Sequence, residues 1–265
     1  VFKNVRNAIP FKLVADGFYS APYILEVLPT PSVVNFTVDL NYPAYTGQKN
    51  ESLNNTGNIR VPEGTLINWN FSTRNTERLY MAFPDSSFTL QAATNQKYTY
   101  HRKVRNPQLY TVAALNDIVG GKDSIQYRID VVKDAYPRIQ VNETQDSTST
   151  DRLYFSGSVS DDYGITALNF VYTLKPSSGG NPKPEVQKIA ISGKMAEEFF
   201  HYIDFGKLGL KAVDQIDYYF EVWDNDGVDG SKSTRSTQKS FKAPSLDELE
   251  KERKDASQSV KQQIE

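Results

Sequence analysis

A short phrase that occurs three times decides the fold of this chain. Its last copy reads Tyr218-Tyr-Phe-Glu-Val-Trp-Asp224, and similar phrases begin at Phe11 and Tyr110. Each copy alternates between apolar and polar positions and leads through an Asp/Gly turn into a second alternating run, which predicts a β-hairpin. The turn aspartates Asp16, Asp117 and Asp224 recur at intervals of about 100 residues, the length of one β-sandwich module.

The positions of the three copies predict that the chain starts with the last hairpin of one module and continues through two complete modules. The predicted fold class is all-β: tandem immunoglobulin-like or fibronectin-like β-sandwiches with a C-terminal amphipathic helix. We expect the chain to be a fragment of a longer protein, whose first hairpin is ordered through contact with the next module or with upstream sequence. The predicted divisions are a terminal hairpin (1–28), two sandwiches (29–134 and 135–243) and the start of a long helix or coiled coil (244–265).

Alternation of apolar and polar residues places the strands within each module. Trp69 lies between alternating apolar neighbours and is predicted to anchor the first core. Seven strands are expected in the second module, the last of them over residues 236–241. His101 and His201 fall in strand-like runs and are expected on sheet surfaces.

Composition excludes several function classes. Thirty basic and thirty-two acidic residues give a net charge of -2 without a basic run, so we expect no binding to nucleic acid. The chain has no cysteine, which excludes disulfides, thiolate metal sites and cysteine nucleophiles. No apolar stretch reaches 18 residues, so membrane anchoring is expected only through sequence outside this segment.

Aspartates in two loops of the second module suggest a calcium site. Loops two–three and six–seven of a seven-stranded sandwich emerge at the same pole, which would bring Asp161 and Asp162 close to Asp224 and Asp226. Calcium prefers six to eight oxygen ligands, which such loops can supply. The first strand of the module also starts at this pole, so Asp134 is expected nearby. The alternative is that these carboxylates accept backbone amides in Asx turns. No other cofactor is predicted.

The hydrophobic period changes from two to three or four after Pro244. Ser245-Leu-Asp-Glu248 is a predicted capping box, and a thin apolar stripe follows in a charged background. So narrow a stripe favours a partner helix, so we expect protein binding or self-association through it. The predicted contact residues are Leu246, Leu249, Ala256, Val260 and Ile264.

No catalytic constellation is found, since the chain has no Gly-x-Ser-x-Gly elbow, no glycine-rich phosphate loop and no His-x-x-x-His pair. We therefore predict a non-enzymatic structural or scaffolding segment that mediates protein–protein assembly. A peptide- or glycan-binding module and an accessory domain of an envelope enzyme are the alternatives. Exposed aromatic residues on one sheet face or in loops would favour glycan binding, with Tyr42, Tyr45 and Tyr163 as candidates, whereas charged faces would favour the scaffold.

Several phrases taken together resemble a known group of proteins. They are Pro43-Ala-Tyr-Thr-Gly47, Val61-Pro-Glu-Gly-Thr65 with Trp69, Asp161-Asp-Tyr-Gly-Ile165 and Asp224-Asn-Asp-Gly-Val228, followed by a charged helix. This order resembles the large envelope proteins of unknown function in Bacteroidota, in which membrane helices precede immunoglobulin-like modules and a long helical region follows. The resemblance covers residues 10–265 and implies an extracytoplasmic, membrane-anchored location in the bacterial periplasm or cell envelope. It implies no activity and no catalytic residues.

Overall fold

The structure is a computed structural model that describes residues 5–121, 123–145, 150–179, 181–245, 247 and 248. The chain divides into two compact units. The second unit comprises Ala44–Gly47 and the residues from Lys133 onward, and the first unit contains the rest. The described residues form strands joined by turns and loops, with short 3₁₀ turns at Ala44–Thr46 and Phe205–Leu208. The all-β prediction is therefore confirmed.

The first unit begins with the predicted hairpin. Strand β1 (Ile9–Phe11) pairs with β4 (Tyr23–Leu25), and β2 (Val14–Ala15) pairs with β3 (Phe18–Tyr19). The turn residues Asp16 and Gly17 both have positive φ, 49° and 83°, as a two-residue hairpin turn requires. The strands of this unit are β1 (Ile9–Phe11), β2 (Val14–Ala15), β3 (Phe18–Tyr19), β4 (Tyr23–Leu25), β5 (Ser32–Asn41), β6 (Glu51–Asn54), β7 (Ile59–Pro62), β8 (Leu66–Arg74), β9 (Arg78–Phe83), β10 (Ser86–Gln91), β11 (Lys97–Lys103), β12 (Gln108–Leu115) and β13 (Ser124–Val132).

Two sheets enclose the core of the first unit. One has the order β11-β8-β5-β6 and the other β10-β9-β12-β13-β7, in which β7 runs parallel to β13. The inward residues of both sheets form one buried cluster, and Trp69 is fully buried within it. Its indole Nε1 donates to the hydroxyl of Tyr110 (3.1 Å), which donates to the carbonyl of Gly57 (2.9 Å). Trp69 is therefore the core anchor that the sequence predicts.

The second unit is also a two-sheet sandwich. A three-stranded sheet with the order β14-β15-β18 faces a sheet with the order β17-β16-β19-β20, and β21 also pairs with β19. Aromatic rings fill the space between them, with Phe170 packed on Phe155 and Phe220 at centroid distances of 5.6 and 5.0 Å. The strands are β14 (Arg138–Gln145), β15 (Arg152–Ser160), β16 (Ile165–Lys175), β17 (Pro184–Ile189), β18 (Ala196–Asp204), β19 (Gln215–Asp224), β20 (Ser233–Arg235) and β21 (Lys239–Lys242).

Corresponding strands have corresponding neighbours in the two units. Tyr110 lies on β12, between β9 and β13. Tyr218 lies on β19, which has β16 on one side and both β20 and β21 on the other. The Tyr218 hydroxyl donates to Glu143 on the opposite sheet (3.0 Å). The two copies of the repeated phrase thus occupy equivalent strands, as the repeat predicts. The predicted boundary at residue 134 lies close to the observed division after Val132.

Two predictions of detail in the second unit are wrong. Instead of one strand over 236–241 there are two short strands, which are separated by residues 236–238. In this break the Ser236 hydroxyl accepts the backbone N–H of Phe220 (2.9 Å) and so replaces a ladder contact. His201 does not lie on the outer surface. Its ring packs against Phe170 with the ring centroids 4.7 Å apart, and burial lowers its pKa.

Candidate functional site

An exposed aromatic surface lies on the outer side of sheet β14-β15-β18. It consists of Tyr154 on β15 and Phe200 and Tyr202 on β18, and is called the aromatic face below. Their relative exposures are 46%, 77% and 43%. Tyr154 and Tyr202 are opposite each other in the strand register and their ring centroids are 4.9 Å apart. Large aromatic side chains grouped on a solvated face mark binding surfaces.

Polar side chains surround these rings on the same sheet. Thr144 is opposite Tyr154, and Ser156 lies between Asn142 and Phe200 in the register. At one end the Tyr202 hydroxyl donates to Asp204 (3.3 Å), and the Asp204 carboxylate lies 3.6 Å from the Arg152 guanidinium. The face therefore combines flat apolar surfaces with hydrogen-bonding groups.

The three tyrosines predicted as glycan candidates do not form this surface. Tyr42 is half-buried and its hydroxyl donates to Glu51. Tyr45 and Tyr163 are half-buried as well, and their rings pack edge to face at 5.3 Å within the second unit. Sequence reasoning missed the aromatic face, although Phe199-Phe200 carried a signal. Adjacent strand residues point to opposite sides, so one of two consecutive phenylalanines had to face outward.

The four predicted calcium ligands are divided between two groups in the second unit. Asp224 and Asp226 bind Lys232, whose Nζ lies 3.0 and 2.9 Å from their Oδ2 atoms and also pairs with Oδ2 of Asp134. Burial disfavours the charge of Lys232, but the three carboxylates outweigh burial and hold its pKa above the ordinary lysine value. Lys232 thus supplies positive charge among Asp134, Asp224 and Asp226, which together are called the lysine cluster below.

The Asx-turn alternative is also observed. Asp224 Oδ1 accepts the backbone N–H groups of Asp226 (3.2 Å) and Lys232 (2.7 Å), and Asp226 Oδ1 accepts that of Val228 (2.7 Å). Asp161 Oδ2 accepts the N–H of Gly164 (2.9 Å). These bonds fix the loops that carry the aspartates.

Asp161 and Asp162 lie beside Asp134. One carboxylate oxygen from each residue lies within 4.8 Å of the others. Burial, together with repulsion from Asp162 and Asp224, raises the pKa of Asp134 to about 6, even though Lys232 lowers it in part. The sequence placed Asp134 near this pole but did not include it among the predicted ligands. Whether calcium binds there stays a prediction.

The predicted partner-binding stripe lies outside the described residues. Its residues are Leu246, Leu249, Ala256, Val260 and Ile264. The long helical region therefore stays a prediction. The capping box before it is present. The Glu248 N–H donates to Ser245 Oγ (3.3 Å), and Glu248 Oε2 accepts the Ser245 N–H (2.7 Å).

A family model matches residues 27–191, more than half of the chain. The chain belongs to this family, the Domain of unknown function (DUF4175). The match confirms the predicted membership in a family of unknown function, and it assigns no activity to the chain. No curated protein matches it. No helix among the described residues is long and apolar enough to cross a membrane.

Solved structures resemble this chain only weakly. A carbohydrate-binding candidate from Bacteroides uniformis is 13% identical, with 63% of this chain and 88% of that chain covered and a TM-score of 0.28. The fibronectin(III)-like modules of CbhA from Clostridium thermocellum are 14% identical, with coverages of 72% and 90% and a TM-score of 0.25. A DUF3823 family protein from Bacteroides ovatus is 11% identical, with coverages of 63% and 88% and a TM-score of 0.24.

Proposed function

We propose that the chain is a non-enzymatic, extracytoplasmic segment of a larger cell-envelope protein and that it binds carbohydrate through the aromatic face of its second sandwich. The observation that carries the proposal is the joint exposure of Tyr154, Phe200 and Tyr202 on one side of one sheet. The extracytoplasmic location rests on the resemblance of its loop motifs to Bacteroidota envelope proteins.

The chemistry of the aromatic face suits a sugar. The C–H faces of a pyranose ring pack on aromatic rings, and its hydroxyl groups need polar partners at the rim. Asn142, Ser156, Arg152 and Asp204 supply donors and acceptors beside the rings. The Arg152–Asp204 pair at one end of the face adds charged donors and acceptors that can bind the hydroxyl groups of a sugar.

A glycan microarray that includes bacterial envelope polysaccharides tests this proposal, followed by calorimetric titration of the strongest ligand. Replacing all three aromatic residues, Y154S/F200S/Y202S, should weaken binding at least about tenfold, a change of about 1.4 kcal/mol in binding free energy. The matched control is F18S/Y19S in the first hairpin, because Phe18 and Tyr19 are also strongly exposed aromatic residues. Equal binding by both variants, or no ligand on the array, would overturn the proposal.

A scaffolding role in protein–protein assembly is the second candidate. The lysine cluster favours it, because Asp134 in the segment between β13 and β14 is held by Lys232, which also pairs with Asp224 and Asp226. Such an arrangement stabilises the start of a module. Under this proposal the contact with a partner helix is made by the stripe from Leu246 to Ile264.

Analytical ultracentrifugation of the full-length protein distinguishes the scaffold from the binding module. L249D/V260D should abolish self-association if the stripe mediates it, because aspartate cannot be buried unpaired in a helix interface. Q258D/Q262D adds the same charge at positions off the predicted stripe and should leave assembly unchanged. If L249D/V260D still self-associates, the helix does not mediate assembly and the scaffolding proposal fails. The carbohydrate-binding proposal would not be affected by that result.

A further inference from the structure

We propose a calcium site in the second unit formed by Asp134, Asp161 and Asp162, with Lys232 as its neighbouring positive charge. The site differs from the four-aspartate site predicted from the sequence, because Asp134 takes the place of Asp224 and Asp226. It is independent of carbohydrate binding by the aromatic face.

The distances between the carboxylates suit one ion. Two oxygens that each lie about 2.3 to 2.6 Å from a calcium ion are at most about 5 Å apart. One oxygen each from Asp134, Asp161 and Asp162 lie within 4.8 Å of one another. The three side chains can therefore bind the same ion with little movement.

Two buried carboxylate oxygens give an independent reason for a cation. Oδ1 of Asp134 and Oδ1 of Asp161 are buried and accept no hydrogen bond. The Asp134 side chain exposes 2% of its surface. Buried charged oxygens without a partner carry a large desolvation cost, and a bound cation removes that cost by direct coordination.

The second oxygen of each of these two aspartates is already fixed in place. Asp161 Oδ2 accepts the N–H groups of Tyr163 (3.0 Å) and Gly164 (2.9 Å), and Asp134 Oδ2 pairs with Lys232. These bonds fix the position of each carboxylate and leave its Oδ1 atom without a hydrogen bond, so that this atom can coordinate a cation. Asp224 and Asp226 are in a different position, because Lys232 pairs with their Oδ2 atoms and backbone amides bind their Oδ1 atoms.

The local charge also favours a divalent ion. Asp134, Asp224 and Asp226 pair with the ammonium of Lys232, and Asp161 and Asp162 lie beside Asp134, so that five carboxylates accompany one positive charge. Their ligand atoms are all oxygens on loops, which is the donor type and flexibility that calcium accepts. Asp162 is exposed, so water can complete the coordination shell from its side. A site with three carboxylates and water should resemble extracellular modules, which bind calcium at about 10⁻⁴ to 10⁻³ M.

Calorimetric titration of the chelator-treated chain with calcium chloride tests the site, with thermal unfolding as a second readout. The wild type should bind one calcium ion, and its melting temperature should rise with calcium concentration. D162N should weaken binding at least tenfold. It is the cleaner variant, because Asp162 is exposed and accepts a long bond from the Ala135 N–H (3.4 Å). D134N should abolish binding, and circular dichroism will show whether it remains folded.

The matched control is D85N, which removes an aspartate that pairs with Arg102 in the first unit (2.6 Å). It should bind calcium as the wild type does. The proposal is overturned if the wild type shows neither heat nor a change in melting temperature, or if D162N binds with wild-type affinity. Tighter binding of magnesium than of calcium would also overturn it, because magnesium requires a stricter octahedral geometry.

Discussion

At the scale of single residues, the second unit depends on compensated buried charge. The Lys232 side chain is 17% exposed, and those of Asp134, Asp224 and Asp226 are 2%, 0% and 3% exposed. Removing one partner from a buried ion pair costs more than the pair contributes, because the remaining charge is left uncompensated in a medium of low dielectric constant. The cluster should therefore be sensitive to small changes.

Lys232→Met should lower the free energy of unfolding of the second unit by about 3–5 kcal/mol in calcium-free buffer, because three buried carboxylates lose their counter-charge. The measurement is urea unfolding in the presence of a chelator. Lys239→Met is the matched control, since Lys239 is 52% exposed and pairs with Glu143 at 3.0 Å. Its effect should stay within about 1 kcal/mol. Equal effects of the two substitutions would show that the cluster is solvated.

The pKa of Asp134 predicts a pH dependence. Its folded-state pKa is raised to about 6 from 3.8. The folded state therefore binds this proton more tightly than the unfolded state does, so stability falls as pH rises between about 4 and 6 and is level above that. In calcium-free buffer, wild-type stability should decline across this window relative to Asp134→Asn. A constant difference between the two proteins from pH 4 to 6 would contradict the assignment.

At the scale of strands, period-two alternation predicted most elements, because one face of each strand is buried and the other is solvated. It located Trp69 and the repeated hairpins correctly. It could not give the break at Ser236, which depends on a side-chain hydrogen bond to Phe220 on the neighbouring strand. Nor could it show that His201 lies inward, because histidine occurs on either face. The aromatic face requires the pairing of β15 with β18, which alternation alone does not specify.

Gly157 on β15 illustrates a packing constraint between strands. A Cβ atom at this position would lie 2.3 Å from the carbonyl oxygen of Gln140 and 2.6 Å from the Phe199 ring. Gly157→Ala should therefore destabilise the second unit by about 1–3 kcal/mol through overpacking, as measured by urea unfolding. Gly227→Ala is the control, because its nearest neighbouring atom would be 3.9 Å away and it should unfold as the wild type does. If G157A has the same free energy of unfolding as the wild type, β14 and β15 can move apart to accept the methyl group, and the proposed packing constraint is wrong.

At the scale of the whole molecule, the repeat predicted tandem sandwiches, and its copies at Tyr110 and Tyr218 lie on strands with corresponding neighbours, whereas β6 and β7 occur in the first unit alone among the described strands. The predicted calcium ligands Asp161 and Asp162 lie together with Asp134, but pattern alone could not show that Lys232 pairs with both Asp224 and Asp226. The chain belongs to a family without assigned activity, so its function has to be inferred from surfaces. Among the described residues, the aromatic face groups three large exposed rings on a single sheet of the second unit.

The most direct test of the central claim is an NMR titration that follows the aromatic ring resonances of the tyrosines and phenylalanines. The ligand is the oligosaccharide that gives the strongest microarray signal. The account predicts concentration-dependent shifts of the Tyr154, Phe200 and Tyr202 rings, with Phe18 and Tyr19 unaffected. Shifts confined to Tyr42, Tyr45 and Tyr163, or no shift of the aromatic face at saturating ligand, would contradict it.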